Sequence, residues 1–185
     1  MDKKILVPLA DGAEEIEAMT IIDVLRRVGA DVTIASVGSL EVTGAHGVKL
    51  IADKLISQCT DDTYDMIALP GGMPGSENLR DSKPLSDLLV KQQQDNRWCA
   101  AICAAPAVAL APLGLLTGRR ATCYPGFTKQ LQGAKVSDDR VVVDGRLITS
   151  KGPGSAMEFA ITLVSVLFGK TTADEVAAGL LVQRT

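Results

Sequence analysis

Apolar residues along this chain fall into two rhythms, short unbroken runs and longer stretches at helical spacing. Ile5 to Leu9 is a continuous apolar run, too short for a helix, and reads as a strand buried on both faces. It breaks at Ala10-Asp11-Gly12, and a helix follows whose apolar positions include Ile16, Met19, Ile22 and Leu25. Gly29-Ala30-Asp31 closes that helix, and Val32 to Val37 is a second buried strand. From Leu40 to Ile51 two short alternating segments flank Thr43-Gly44-Ala45-His46-Gly47, the pattern of a small hairpin or looped edge. Asp53 to Asp62 is polar and irregular. Asp65 to Leu69 is a third strand ending in Pro70-Gly71-Gly72-Met73-Pro74-Gly75, and Leu85 to Gln94 forms a helix with Lys91, Gln92 and Gln94 towards water.

The next strand opens at Trp98 and breaks within the run Trp98 to Ala107, where small residues crowd around Cys103 and Pro106 follows. Proline is tolerated in a helix's first turn, so a new helix begins here and continues through Ala107 to Leu110. Pro112 to Gly118 is a turn, and Ala121 to Pro125 a short strand leaving the core; Tyr124 precedes a proline and is expected to be extended. Val136 to Val143 and Arg146 to Thr149 read as a hairpin turned at Asp144-Gly145. Ser150 to Ser155 is rich in proline and glycine and opens a helix from about Ala156 to Phe168; Asp174 to Leu181 is a last short helix.

Strands alternating with helices predict an α/β fold, a mostly parallel sheet with helices on both faces. The composition agrees, with 46% apolar but only 3% aromatic residues, a core of Val, Leu, Ile and Ala. The 185 residues fit one domain spanning 1–185, with no repeat, linker or low-complexity segment. A net charge of −3 without a basic block argues against a sequence-specific nucleic-acid partner. Met1-Asp2-Lys3-Lys4 leads straight into the first strand, with no signal-peptide pattern and no apolar run of membrane-spanning length, so a cytoplasmic protein without a membrane partner is expected. Four cysteines without C-x-x-C spacing and a single histidine, His46, argue against a Cys/His zinc site; free thiols are expected.

The breaks at Asp11-Gly12, Pro70-Gly71-Gly72 and Cys103-Ala104 should all lie at carboxyl ends of strands, where ligand sites in open α/β sheets form. Ala101-Ile102-Cys103-Ala104-Ala105 has the form of a nucleophile elbow with cysteine for serine, and the new helix's N-terminus should lower the thiol pKa. The competing reading is a buried cysteine packed as a small hydrophobe. Glu14 and Glu15 suit the positive end of the first helix, whereas Glu17 sits beyond that benefit beside the apolar stripe. It either points into the strand ends or is solvated, and the pattern alone favours the solvated reading. The Gly71-Gly72 turn is either an anion cradle or a plain turn, matching neither the dinucleotide fingerprint nor the P-loop. His46 reads as an exposed tip residue, and Tyr124 as a packed ring, the alternative being a hydroxyl that reaches a substrate.

Taken in order, Gly12-Ala13-Glu14-Glu15-Ile16-Glu17, Asp23 to Gly29, Leu69-Pro70-Gly71-Gly72, Ala100 to Pro106 and Thr149 to Ser155 resemble the ThiJ/PfpI superfamily. The nearest branch is that of the small parkinsonism-associated protein and its bacterial and plant relatives. The resemblance implies a flavodoxin-like, doubly wound homodimer that uses no cofactor and no metal. It implies Cys103 as reactive nucleophile, Glu17 as the acid beside its sulfur, and the N–H groups of Gly72 and Ala104 as oxyanion hole. Gly71, Tyr124, His46 and Arg27 become candidate substrate or anion contacts, His46 falling near an anion-contacting arginine of some relatives. The implied activity is thiol-dependent detoxification of dicarbonyls such as methylglyoxal or glyoxal (glyoxalase III-type), or deglycation of protein or nucleotide adducts. Rivals are an oxidative-stress sensor or holdase chaperone acting through Cys103 oxidation, and a hydrolase or amidotransferase. The peptidase branch carries histidine where this chain has Ala104, and glutaminase relatives need a downstream histidine that is absent after His46. Tyr124 stands where several close relatives carry histidine.

Overall fold

The computed structural model describes residues 3–182, so Met1 and Asp2, read as the lead-in to the first strand, lie outside it. β1 (Lys4–Leu9) is buried on both faces: Ile5, Val7 and Leu9 enter one apolar core and Leu6 the other. α1 (Glu15–Arg27) and β2 (Asp31–Ser36) follow. Then come the antiparallel hairpin of β3 (Glu41–Thr43) and β4 (Lys49–Ile51), and the two-residue β5 (Lys54–Leu55). β6 (Met66–Leu69), α2 (Gly75–Asp81), α3 (Lys83–Gln94) and β7 (Trp98–Ile102) form the middle of the chain. β8 (Arg120–Ala121) and β9 (Lys135–Val136) make a small separate pair. β10 (Val141–Asp144), β11 (Leu147–Ser150), α4 (Ala156–Phe168) and α5 (Lys170–Gly179) complete the order.

The main sheet runs β10-β11-β7-β6-β1-β2-β5, parallel except for the edge strand β10. Both apolar cores lie against it, one including residues of α1, α4 and α5, the other residues of α2 and α3 and the segment after β7. This is the expected doubly wound arrangement. From β1 the chain steps to β2 on one side and later to β6 on the other, so the order reverses between β1 and β6. A crevice opens at the carboxyl ends of strands at such a reversal, and the Gly12, Gly72 and Cys103 breaks all lie at that end.

Several local expectations change. Ile22 and Leu25 are buried as expected, but Ile16 and Met19 are exposed (58% and 46%), and Ala18 and Ile21 fill the core instead. The buried stripe is thus rotated about the helix from the expected one, as packing against α4 requires. Gln92 does not face water: it is buried, donating to the carbonyls of Tyr64 (3.0 Å) and Trp98 (3.1 Å). The segment Pro106–Leu110 is a wide π turn rather than an α-helix. Pro112 has no N–H to return to Val108 and its ring crowds that carbonyl, so the turn opens. The last hairpin turns at Gly145-Arg146, one residue later than expected, and the strand expected over residues 121–125 shrinks to β8 followed by a 3-10 turn. The final helix begins at Lys170 rather than Asp174, and α2 has no counterpart in the expectations.

Candidate active site

Cys103 follows β7 directly and has a backbone φ of +64°. That left-handed conformation costs a non-glycine residue about 1–2 kcal/mol. Two hydrogen bonds hold it, Cys103 N–H to Ser150 O (2.9 Å) and Tyr124 N–H to Cys103 O (2.8 Å). The end of β11 and the stretch before Pro125 thus clamp the elbow. Small neighbours are required: Ala104 and Ala105 are buried beside the turn. At Gly71 a Cβ would lie 2.5 Å from Cys103 Cβ and 2.9 Å from Glu17 Oε2. Gly72, at φ +90°, leaves no room either, with Glu14 N at 2.3 Å and Gly12 O at 2.4 Å.

Glu17 is fully buried, overturning the solvated reading. Its helix position lies one step off the α1 stripe, and the sheet's carboxyl edge covers it. Oε2 accepts the Gly71 N–H at 2.8 Å. Oε1 is sealed from solvent with no hydrogen-bond partner among the described residues, and the Cys103 thiol interacts with the Glu17 carboxyl. Burial, only partly offset by the Gly71 N–H, pushes the Glu17 carboxyl up to about 7. Burial and the Glu17 charge push the Cys103 thiol up to about 12, against the lowering by the N–H groups of Gly72 and Ala104. The expected lowering of the thiol by the helix start is therefore outweighed. The two acids behave as a pair, because a dry site does not hold two adjacent negative charges. Between them the pair retains one proton near neutral pH; with that proton on the Glu17 carboxyl, the thiolate faces it together with the N–H groups of Gly72 and Ala104.

Of the other candidates, Tyr124 comes close. A Cβ on Gly152 would lie 3.3 Å from the Tyr124 ring and 3.9 Å from Cys103 Sγ, so that glycine lets ring and thiol share one opening. Tyr124 is extended as expected, at φ −57° and ψ 132°, but half-exposed rather than packed away. Gly152 and its anchor Ser155, whose Oγ bonds both Gly152 N and O, went unassigned in the sequence; the Pro-Gly run there signals a turn but not what it faces. Arg27 is not brought to the site. It lies ten residues beyond Glu17 on α1, about 15 Å at 1.5 Å per residue, and pairs with Asp23 at 2.7 Å. His46 is exposed, as expected of the hairpin tip, yet its ring meets Glu15 (3.1 Å) and Glu14 (3.6 Å). A cleft of about 400 Å³ lined by Lys3, Tyr64, Arg97, Trp98 and Arg146 opens at the amino ends of the strands, away from Cys103. The described cysteines are all free thiols, and among the described residues no helix is long and apolar enough to cross a membrane.

Gly71→Ala tests the close approach. The added methyl should cost about 1–3 kcal/mol of stability by overpacking and slow alkylation of Cys103 by moving Glu17 off the sulfur. Urea melts and iodoacetamide rates read both; an alanine variant equal to the wild type in each would contradict the packing described.

Sheet order and elbow together place the chain among flavodoxin-like α/β proteins with a cysteine at the strand-to-helix turn. Within that class it belongs to the DJ-1/PfpI family, whose model matches residues 3–166. It is 50% identical over 183 residues to Protein DJ-1 homolog B of Arabidopsis thaliana, covering 98% of this chain but only 42% of that protein. It is 39% identical over 166 residues to the glutathione-independent glyoxalase DJR-1.2 of Caenorhabditis elegans, covering 89% of this chain and 88% of that one. The solved structure of oxidised Toxoplasma gondii DJ-1 superposes with a TM-score of 0.96 at 48% identity, covering 98% of this chain and all of the other.

Proposed function

We propose that this chain is a thiol enzyme that converts reactive dicarbonyls such as methylglyoxal to hydroxy acids without a cofactor. The observation that carries the reading is the buried Glu17–Cys103 pair facing the Gly72 and Ala104 N–H groups. The glyoxalase name of the Caenorhabditis elegans relative supports the substrate class. The Cys103 sulfur adds to the aldehyde carbon, C1, and the oxyanion is held by the two N–H groups, each such donor being worth roughly 3 kcal/mol. A proton from Glu17 gives the hemithioacetal. The Glu17 carboxylate then removes the C1 proton and returns it to C2, while the O1 proton passes to O2. C1 is thereby oxidised and C2 reduced, leaving a lactate thioester that water splits into lactate and free thiol. Early glycation adducts on proteins or nucleotides present the same chemistry. We place the whole of residues 1–185 in one domain that acts as a homodimer, a second copy covering exposed Ile16 and Met19 beside the site.

The test is lactate formation from methylglyoxal without glutathione, followed by proton NMR. Turnover is expected; its absence at high enzyme concentration would sink the enzymatic reading. A second reading then takes its place, oxidation of Cys103 to a sulfinate as a stress signal. It is favoured by the oxidised state in which the Toxoplasma gondii relative was solved.

A further inference from the structure

The cleft at the amino ends of β6, β7 and β11 lies at the opposite edge of the sheet from Cys103, and the thiol chemistry uses none of it. Its volume of about 400 Å³ falls in the range of small-molecule sites. A narrower pocket lined by Cys99, Leu115 and Arg119 adjoins it, and Asn96, Arg97 and Arg146 line both. Three arginines thus meet around one opening, in a chain of net charge −3. Gathering like charges is unfavourable unless something of opposite sign offsets it.

The pairing of the arginines is uneven. Arg26, Arg27, Arg80, Arg97, Arg120 and Arg140 each stand within 4.0 Å of a carboxylate. Among the described residues, Arg119 and Arg146 have no such partner, and both line this opening. Arg119 lies over the Gly145 turn and reaches only the Asp144 carbonyl, at 3.5 Å. The Arg146 guanidinium sits over the Trp98 ring, 4.7 Å from its centroid. That stacking fixes its plane while its N–H fork meets no acceptor among the described residues. The acids nearby are engaged: Asp65 by Lys3 (3.1 Å) and the Lys4 N–H (2.9 Å), Asp144 by the Arg120 N–H (2.7 Å). Asp95 reaches Arg97 only at 3.8 Å. A structural role for the stack on Trp98 explains one arginine, not three around the same opening.

We propose that this cleft binds a small organic phosphate of nucleotide size. Arg97, Arg119 and Arg146 hold the phosphate, and the organic part lies in the wider space beside Trp98, Val166 and Leu167. Arginine forks match phosphate oxygens bidentately, and a phosphate monoester carries nearly two charges and three acceptor oxygens, enough for several forks at once. The site is separate from Cys103 and Glu17, so it holds whether or not the dicarbonyl reading does.

Trp98 is the one tryptophan of the chain, so its fluorescence reports on the cleft. AMP, inorganic phosphate and adenosine are each titrated into the full chain, with calorimetry giving the affinities. Saturable binding of AMP is expected, with inorganic phosphate weaker and adenosine silent. Arg119→Gln and Arg146→Gln should each weaken AMP by roughly 10- to 100-fold, the loss expected for charge-assisted hydrogen bonds. Arg146→Lys keeps the charge without the fork and should recover only part of the affinity. Arg80→Gln makes the same change in net charge on α2, where Arg80 pairs with Asp81, and should bind like wild type, as should Cys103→Ser. Circular dichroism confirms the fold of each variant. The proposal is overturned by no saturable binding of AMP, by adenosine or inorganic phosphate binding as tightly as AMP, by unchanged affinity in Arg119→Gln and Arg146→Gln, or by an equal loss in Arg80→Gln or Cys103→Ser.

Discussion

Cys103→Ser should abolish lactate formation from methylglyoxal, by on the order of a thousandfold or more. The substitution exchanges sulfur for oxygen on an unchanged backbone, so the φ of +64° and its two clamping hydrogen bonds persist. What disappears is the nucleophilic anion: when the pair's proton sits on Glu17 the sulfur carries the charge, whereas an alkoxide in its place would be far less stable. Stability should change little, since the replacement is close in size and its hydroxyl keeps the N–H groups of Gly72 and Ala104 and the Glu17 carboxyl as partners. A serine variant retaining turnover would remove the sulfur from the mechanism, and the hemithioacetal route with it.

Glu17→Gln should move activity and stability in opposite directions. The amide keeps an acceptor for the Gly71 N–H and a donor for the sulfur, but it cannot take the C1 proton. Turnover is expected to fall by about 10²–10⁴, the usual contribution of a positioned acid–base group. Stability follows from linkage. The carboxyl's value rises from 4.5 to about 7 on folding, so the folded state binds the proton more tightly. Its contribution is fully present below pH 4.5 and is lost as pH rises through 7. Over that window wild type should lose about 3 kcal/mol relative to the glutamine variant, at 1.36 kcal/mol per unit. Urea unfolding at pH 4.5 and pH 8 measures it. The variant should be the more stable at pH 8, and the gap should close on acidification. A gap that is flat with pH would mean Glu17 titrates alike in both states, which its burial forbids.

Much of the sheet is legible in the sequence because its central strands are unbroken apolar runs bounded by glycine and proline. β1, β2, β6 and β7 are recognisable that way, and so are both hairpins, although the second turns one residue later and its first strand begins at Val141 rather than Val136, which pairs with β8 instead. β5 escapes notice because two residues leave no periodicity, and α2 because its cap is a proline-glycine turn that reads equally as loop. The phase of α1 is ambiguous: Ile22 and Leu25 can be joined either by Ile16 and Met19 or by Ala18 and Ile21, and only packing on α4 decides. The burial of Glu17 and Gln92 is hidden for a related reason. Their partners, Gly71, Tyr64 and Trp98, lie in other segments, and a polar side chain's satisfaction by a distant backbone group leaves no mark on its own neighbourhood. The Cys103 and Gly71-Gly72 breaks are visible as small-residue clusters at strand ends. That His46 reaches back to Glu15 is not visible, since 31 residues and a hairpin intervene.

The clamp on Cys103 gives the site a birth order. Its amide is held by Ser150, and Gly152, which leaves room for the sulfur, comes almost fifty residues after the cysteine itself. While the chain is still leaving the ribosome, β11 has not yet docked against β7, and nothing holds the thiol in its strained pose. Reactivity thus arrives only with the last third of the chain, so a nascent or truncated protein carries an ordinary cysteine and is spared premature chemistry.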